Sequence, residues 1–217
     1  MTTRVAVLVS GNGSNLQAVI DASEAGELDI DIVAVVANVD GAYGLERARR
    51  HAIPTEVVLR HDDPRPVYDQ RLAEVVASHQ PELVVLAGWM RILTQVFLDR
   101  FPVLNLHPAL PGMFPGVKAI ERAFLAWQDG DISATGVMVH WVPDEGVDVG
   151  PVVAHTDVPF LDGDSLETFS ARVHEVEHRL LVDAIDQVIS GSAPGFSGSA
   201  PGFFGSAPVK KDQPVLK

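Results

Sequence analysis

Five short runs of valine, isoleucine and leucine constrain this chain more than anything else in it. They are VAVLV within the first ten residues, DIVAVVA at 31–37, EVVL at 56–59, LVVLAG at 83–88 and VLNL at 103–106. Unbroken apolar runs that are short and rich in β-branched residues suit strands buried on both faces. Between them lie SNLQAVIDASEAG (14–26), GLERARRHA (44–52) and PVYDQRLAEVVASH (66–79), whose apolar residues recur at helical spacing. Strand alternating with helix predicts an α/β fold, a doubly wound and mostly parallel sheet of Rossmann-like form covered by helices on both sides. TGVMVHWV (135–142) and GPVVAHTDV (150–158) alternate more strictly and flank an acidic loop, which predicts an added antiparallel strand pair. A long C-terminal helix is expected from about Ser165 to Ile189, with Asp164 as N-cap and Glu167 as its capping-box partner.

After that helix the pattern changes. GSAP recurs at 191, 198 and 205, and a proline and a glycine in every unit forbid a heptad helix. Small residues with isolated phenylalanines bury too little surface to offset chain entropy. The expected organisation is one domain over 1–190, followed by a disordered tail over 191–217. A chain of 217 residues suits one such core.

Charge and cysteine content narrow the partners. Twenty-nine acidic against sixteen basic side chains leave a net charge of -13, which opposes nucleic acid and anionic membrane. The absence of cysteine removes disulfides, thiolate nucleophiles and cysteine-held zinc, and suits a reducing compartment. The apolar run at the start is shorter than a signal peptide requires, and no run approaches a membrane span, so the expected location is the cytoplasm.

In a doubly wound sheet, ligands gather at the carboxyl ends of strands where strand order reverses. Three segments end there. The first is the turn Gly11, Asn12, Gly13, Ser14, Asn15, whose glycines and helix start outline an anion cradle, although a ligand-free tight turn fits the same residues. The second is Met90, Arg91, Ile92, Leu93, an apolar slot with an arginine for an anionic group. The third is the end of VLNLH, where alternation puts Asn105 and His107 on one face and Leu104 and Leu106 on the other. A carboxylate from the loop PDEGVDVGP, Asp148 above all, would raise the His107 pKa if it reached the ring.

Taken together, VLVSGNGSNLQAVIDA, LVVLAGWMRIL, NLHPAL and VHWVPDEGVDVGPV resemble, in order and spacing, the phosphoribosylglycinamide formyltransferases, folate-dependent enzymes of purine synthesis. The resemblance covers roughly residues 4–190. It implies a catalytic trio of Asn105, His107 and Asp148, with Gly11 to Asn15 as the substrate-phosphate turn. It implies a folate pocket that includes Met90 to Leu93 and Asn105, and a carboxylate, Glu177, for the substrate amine. Arg65 falls near a family arginine that faces the substrate phosphate. The co-substrate implied is 10-formyltetrahydrofolate, with no metal, and the protein would be a monomer or homodimer acting on small molecules. Asn105 and a His107 kept protonated by Asp148 would donate to the developing oxyanion, while a water held by Asp148 carries the amine proton. The sequence departs from the common family pattern at Pro111 and Gly112, at Ile120 and in a loop from His140 to Asp148 that is one residue longer. Two relatives sharing the formyl-folate site, a formyltetrahydrofolate hydrolase and the formylase of initiator methionyl-tRNA, carry extra domains that do not fit this length. A binding module that had lost the reaction predicts loss of one of the trio, and all three are present.

Overall fold

The computed structural model describes residues 2–193. Seven strands form one sheet: β1 (Thr3–Val9), β2 (Ile30–Ala37), β3 (Thr55–Val57), β4 (Leu83–Leu86), β5 (Val103–His107), β6 (Thr135–Trp141) and β7 (Val152–Val158). Their spatial order is β3-β2-β1-β4-β5-β6-β7. The first five run parallel, and β6 and β7 add antiparallel, so the order reverses between β1 and β4. The expected fold class is the observed one.

Alternation along the strands divides the core into two layers. Val5, Val7 and Val9 face one side, where α1 (Ser14–Glu24), α2 (Tyr43–Arg50) and α6 (Leu166–Ile189) pack. Ala6 and Leu8 face the other, against α3 (Arg65–Ser78) and α4 (Gln95–Leu98). Leu104 and Leu106 belong to the α6 side, so Asn105 and His107 point to the α3 and α4 side. On the α6 side, Phe124 of α5 (Ala119–Gln128), Trp127, Phe160 and Phe169 stack with centroids 4.5–5.8 Å apart and hold α5 and α6 together.

Two boundaries differ from the sequence expectation. The α6 N-cap is Ser165, whose Oγ accepts the Thr168 N–H at 3.2 Å while the Thr168 hydroxyl oxygen accepts the Ser165 N–H at 3.0 Å. The box lies one residue later than Asp164 and Glu167, because Asp164 is committed elsewhere. Its carboxylate accepts the Leu161 N–H and two N–H groups of Arg172, at 2.7–2.8 Å. At the other end, Gly191 takes φ 73°, its N–H reaches the Val188 carbonyl and the Ser192 N–H reaches Gln187. This is a Schellman closure, for which glycine avoids the Cβ penalty. Residues 191–193 therefore finish the helix rather than begin a tail, and Ala193 packs on the core. The rest of the expected tail lies outside the described residues. Among the described residues no helix is long and apolar enough to cross a membrane.

Candidate active site

Where β5 ends, Asn105 and His107 lie beside a cavity of about 590 Å³, within the size range of small-molecule sites. Its walls include Met90 to Leu93 after β4, Asn105 and His107, Val117 before α5, His140 on β6, and Asp148. Asp148 is brought in by the loop between β6 and β7. A Cβ on Gly150 would collide with the Trp141 carbonyl, so the glycine lets that loop close tightly against β6. Asp148 itself takes φ 55°, a left-handed backbone that aspartate tolerates better than most residues. The longer loop still delivers its carboxylate to the trio.

The polar contacts there are dense. Asp148 Oδ1 accepts the Asn105 amide at 3.0 Å, and Oδ2 accepts the Gly116 N–H at 2.8 Å and lies 3.3 Å from His107 Nδ1. His107 Nε2 meets the Met113 carbonyl at 3.3 Å, from the loop carrying Pro111 and Gly112. His140 sits opposite Asn105 in the β5–β6 register. Its Nδ1 donates to the Trp141 carbonyl at 2.8 Å, and its Nε2 lies 3.1 Å from the Asn105 amide nitrogen and 3.6 Å from Asp148 Oδ1. The Asn105 amide nitrogen thus sits between Asp148 and His140 within the cluster, whereas the sequence pattern alone leaves that amide free for an oxyanion.

Burial decides the titration of this group. His107 is 3% exposed at its side chain and Asp148 11%. Burial pushes the His107 pKa below the ordinary imidazole value, and the opposing pull of Asp148 and of the Met113 carbonyl does not make up the difference. Burial therefore works against the expected protonation of the ring, while both ring nitrogens face acceptors that favour it, Asp148 at Nδ1 and the Met113 carbonyl at Nε2. Asp148 is also buried, which alone would raise it, but the His140 hydrogen bond, the Gly116 N–H and the charge of His107 bring it below the usual carboxylate value.

The other expected residues distribute unevenly. Met90 is 66% exposed on the rim, Ile92 is also exposed, and Leu93 is buried in the core layer beneath the cavity. Arg91 lies 5.0 Å over the Tyr68 ring, whose hydroxyl is pushed by burial up to about 12. Arg65 lines the cavity beside Ile92, donating to its carbonyl at 3.4 Å and pairing with Glu145 at 3.0 Å. It therefore groups with Met90 to Leu93 rather than with the glycine turn.

The glycine turn adjoins the cavity through β4. Ser10 N–H donates to the Gly88 carbonyl at 3.0 Å, and Ser10 Oγ accepts the Met90 N–H at 2.8 Å. Gly13 caps α1 with φ 73°, and a Cβ there would stand 2.7 Å from Gly44 Cα, so only glycine lets α2 approach the turn this closely. The backbone N–H groups of Gly11, Asn12 and Gly13 have no protein acceptor among the described residues, and the first N–H groups of α1 add to them. Such a set of donors at a helix start suits an anion. Glu177 is 5% exposed on α6, on the opposite sheet face from His107, with Oε2 2.6 Å from His174 Nδ1.

Two residues escaped the sequence reading. His140 was hidden inside an apolar strand, and its only signal was a lone histidine among valines in VHWV. Arg47, one of several arginines in ERARR, binds the glycine turn, and nothing local distinguishes it from its neighbours. No group of three or more His, Asp or Glu able to hold a metal occurs among the described residues.

Residues 3–185 match the formyl transferase family. The chain is 43% identical over 201 residues to phosphoribosylglycinamide formyltransferase of Dictyostelium discoideum, covering 85% of this chain and 97% of that one. It is 45% identical over 205 residues to the enzyme of that name from Schizosaccharomyces pombe, covering 88% and 99%. The solved structure of glycinamide ribonucleotide transformylase 1 from Symbiobacterium toebii is similar with a TM-score of 0.81 at 37% identity, covering 88% of this chain and 89% of that one.

Proposed function

The chain belongs to the formyl transferase family, among its phosphoribosylglycinamide formyltransferases, and from this membership we propose that it moves the formyl group of 10-formyltetrahydrofolate to the amine of N1-(5-phospho-D-ribosyl)glycinamide, a step of purine synthesis. The observation that supports the chemistry is the meeting of Asn105, His107 and Asp148 at the end of a partly apolar cavity. The folate supplies the formyl carbon and departs as tetrahydrofolate. Its flat ring suits the slot between Met90, Ile92 and Leu93, and Arg65 and Arg91 suit an anionic tail. The ribonucleotide phosphate suits the free N–H groups of Gly11 to Asn15, and Glu177, buried on the α6 side of the sheet away from His107, suits a polar group of the same ribonucleotide other than the reacting amine.

Attack forms a C–N bond from the amine to the formyl carbon and leaves negative charge on the formyl oxygen. Asn105 donates to that oxygen by exchanging its contact with His140 for one to an anion, since a bond to a charged acceptor is roughly twice as strong. Its other N–H stays on Asp148 and holds the amide in plane. Burial lowers the His107 pKa, so the ring can release a proton and take one from substrate. It takes the proton shed by the amine and, as an imidazolium stabilised by Asp148, returns it to the folate nitrogen as the C–N bond to the folate breaks. The Met113 carbonyl, 3.3 Å from Nε2, occupies the direction from which that proton travels and gives way to substrate. A cytoplasmic location is supported by the cysteine-free composition.

The test is product identity. Incubation with both substrates gives formylglycinamide ribonucleotide by mass spectrometry, and Glu177→Gln raises KM for the ribonucleotide while leaving KM for the folate near wild type. Absence of the formylated product overturns the proposal.

A further inference from the structure

Arg47 belongs to α2, outside the cavity, yet its guanidinium is committed to the glycine turn. Nε donates to the Asn12 carbonyl at 3.0 Å, Nη2 to Asn12 Oδ1 at 3.0 Å and Nη1 to Gln17 Oε1 at 3.3 Å. The guanidinium is held from its own helix by stacking over the Tyr43 ring at 4.9 Å. Gln17 is fixed in turn, its Nε2 reaching Asp21 at 2.8 Å and His51 at 3.1 Å.

We infer that Arg47 is the positioning residue of the anion turn: its planar fork fixes the Asn12–Gly13 peptide so that the Gly13 N–H faces the phosphate. This rests on the reading of Gly11 to Asn15 as the phosphate-binding turn. The geometry follows from peptide planarity, because carbonyl and N–H of one trans peptide point in opposite directions. With the Asn12 carbonyl turned toward α2, the Gly13 N–H points away from α2, and it has no protein acceptor among the described residues. The turn needs such a clamp, since Gly11 and Gly13 make its backbone free to adopt other conformations. Anchoring Gln17 as well ties the first turn of α1 to the same cation. Arg47 thereby meets in advance an ordering cost that substrate binding would otherwise carry. Lysine cannot replace it, because a single ammonium does not span two oxygens of one residue in a fixed fork. The Arg47 charge is felt further along the same face, where it adds to burial in lowering the His178 imidazole on α6.

The experiment compares the full chain with Arg47→Lys, Arg47→Met and, as a control, Arg50→Gln, whose arginine pairs with Glu46 on the same helix without touching the turn. Thermal stabilisation by inorganic phosphate is the first readout, and KM for glycinamide ribonucleotide and for 10-formyltetrahydrofolate the second. In both Arg47 variants the phosphate concentration for half-maximal stabilisation and the ribonucleotide KM rise about tenfold or more, a loss typical of hydrogen bonds to a charged group. The folate KM stays within about twofold, and Arg50→Gln behaves as wild type. The inference is overturned by a wild-type ribonucleotide KM in Arg47→Met, or by full recovery in Arg47→Lys, which would leave only a charge effect. It is overturned equally by a parallel rise of both KM values, or by a wild type that phosphate does not stabilise. A wild type that binds phosphate but does not formylate the ribonucleotide overturns the proposed reaction instead, and the phosphate readout still decides Arg47.

Discussion

Asn105 is the residue on which the proposed chemistry leans most, because one N–H serves Asp148 and the other is available for exchange toward an oxyanion. Asn105→Ala lowers kcat by about a hundredfold or more, the usual cost of one lost oxyanion donor, with folding intact by circular dichroism. The His107 pKa gives a second, independent check. Burial sets it below the ordinary imidazole value and Asp148 pulls it up, so removing the Asp148 charge moves it further down. NMR titration of the His107 ring is expected to show a midpoint below that of an ordinary imidazole in the wild type and a lower one still in Asp148→Asn. An upward shift in that variant contradicts the assignment. That Asn105 and His107 share a face was legible, because alternation along a strand is fixed by backbone geometry. The direction of the His107 pKa was not, because the sequence names the carboxylate but not how deeply it buries the ring. His140 and Arg47 were illegible for a related reason: both act across elements, through the β5–β6 register and through the Gly13–Gly44 approach.

At the scale of elements, the cap of α6 shows how a local signal can slip by one residue. Asp164 and Ser165 are both good N-caps by type, and the sequence does not show that Asp164 is drawn off by Arg172 eight residues on. Ser165→Ala lowers stability by about 1 kcal/mol in urea unfolding, whereas Glu167→Ala, at the position first expected to complete the box, changes it by less than about 0.5 kcal/mol. Equal effects contradict the observed capping. Most strands and helices were readable from apolar periodicity, with β3 reduced to Thr55–Val57 at the sheet edge. The glycine turn was readable as a cradle but not as a clamped one, since the clamp comes from another helix.

For the whole molecule, the sequence pattern implied a parallel sheet with an added pair, but not the strand order that makes the site. That order puts the ends of β1, β4 and β5 side by side and uses β6 to supply His140 and the Asp148 loop. Among the described residues, 2–193, one unit already builds both core layers, the cavity and the Schellman closure of α6. A chain ending after Ala193 therefore keeps wild-type turnover, and its melting temperature stays within a few degrees, a shift that corresponds to under about 1 kcal/mol. A loss of activity on that truncation contradicts the assignment of the whole site to this unit. The central claim is formyl transfer from a folate to the ribonucleotide amine, and the most direct test follows deformylation of 10-formyl-dideazafolate by absorbance, with and without glycinamide ribonucleotide. The expected result is deformylation that requires the ribonucleotide and yields one formylated product per folate consumed; the same rate without it, or none in either case, contradicts the claim.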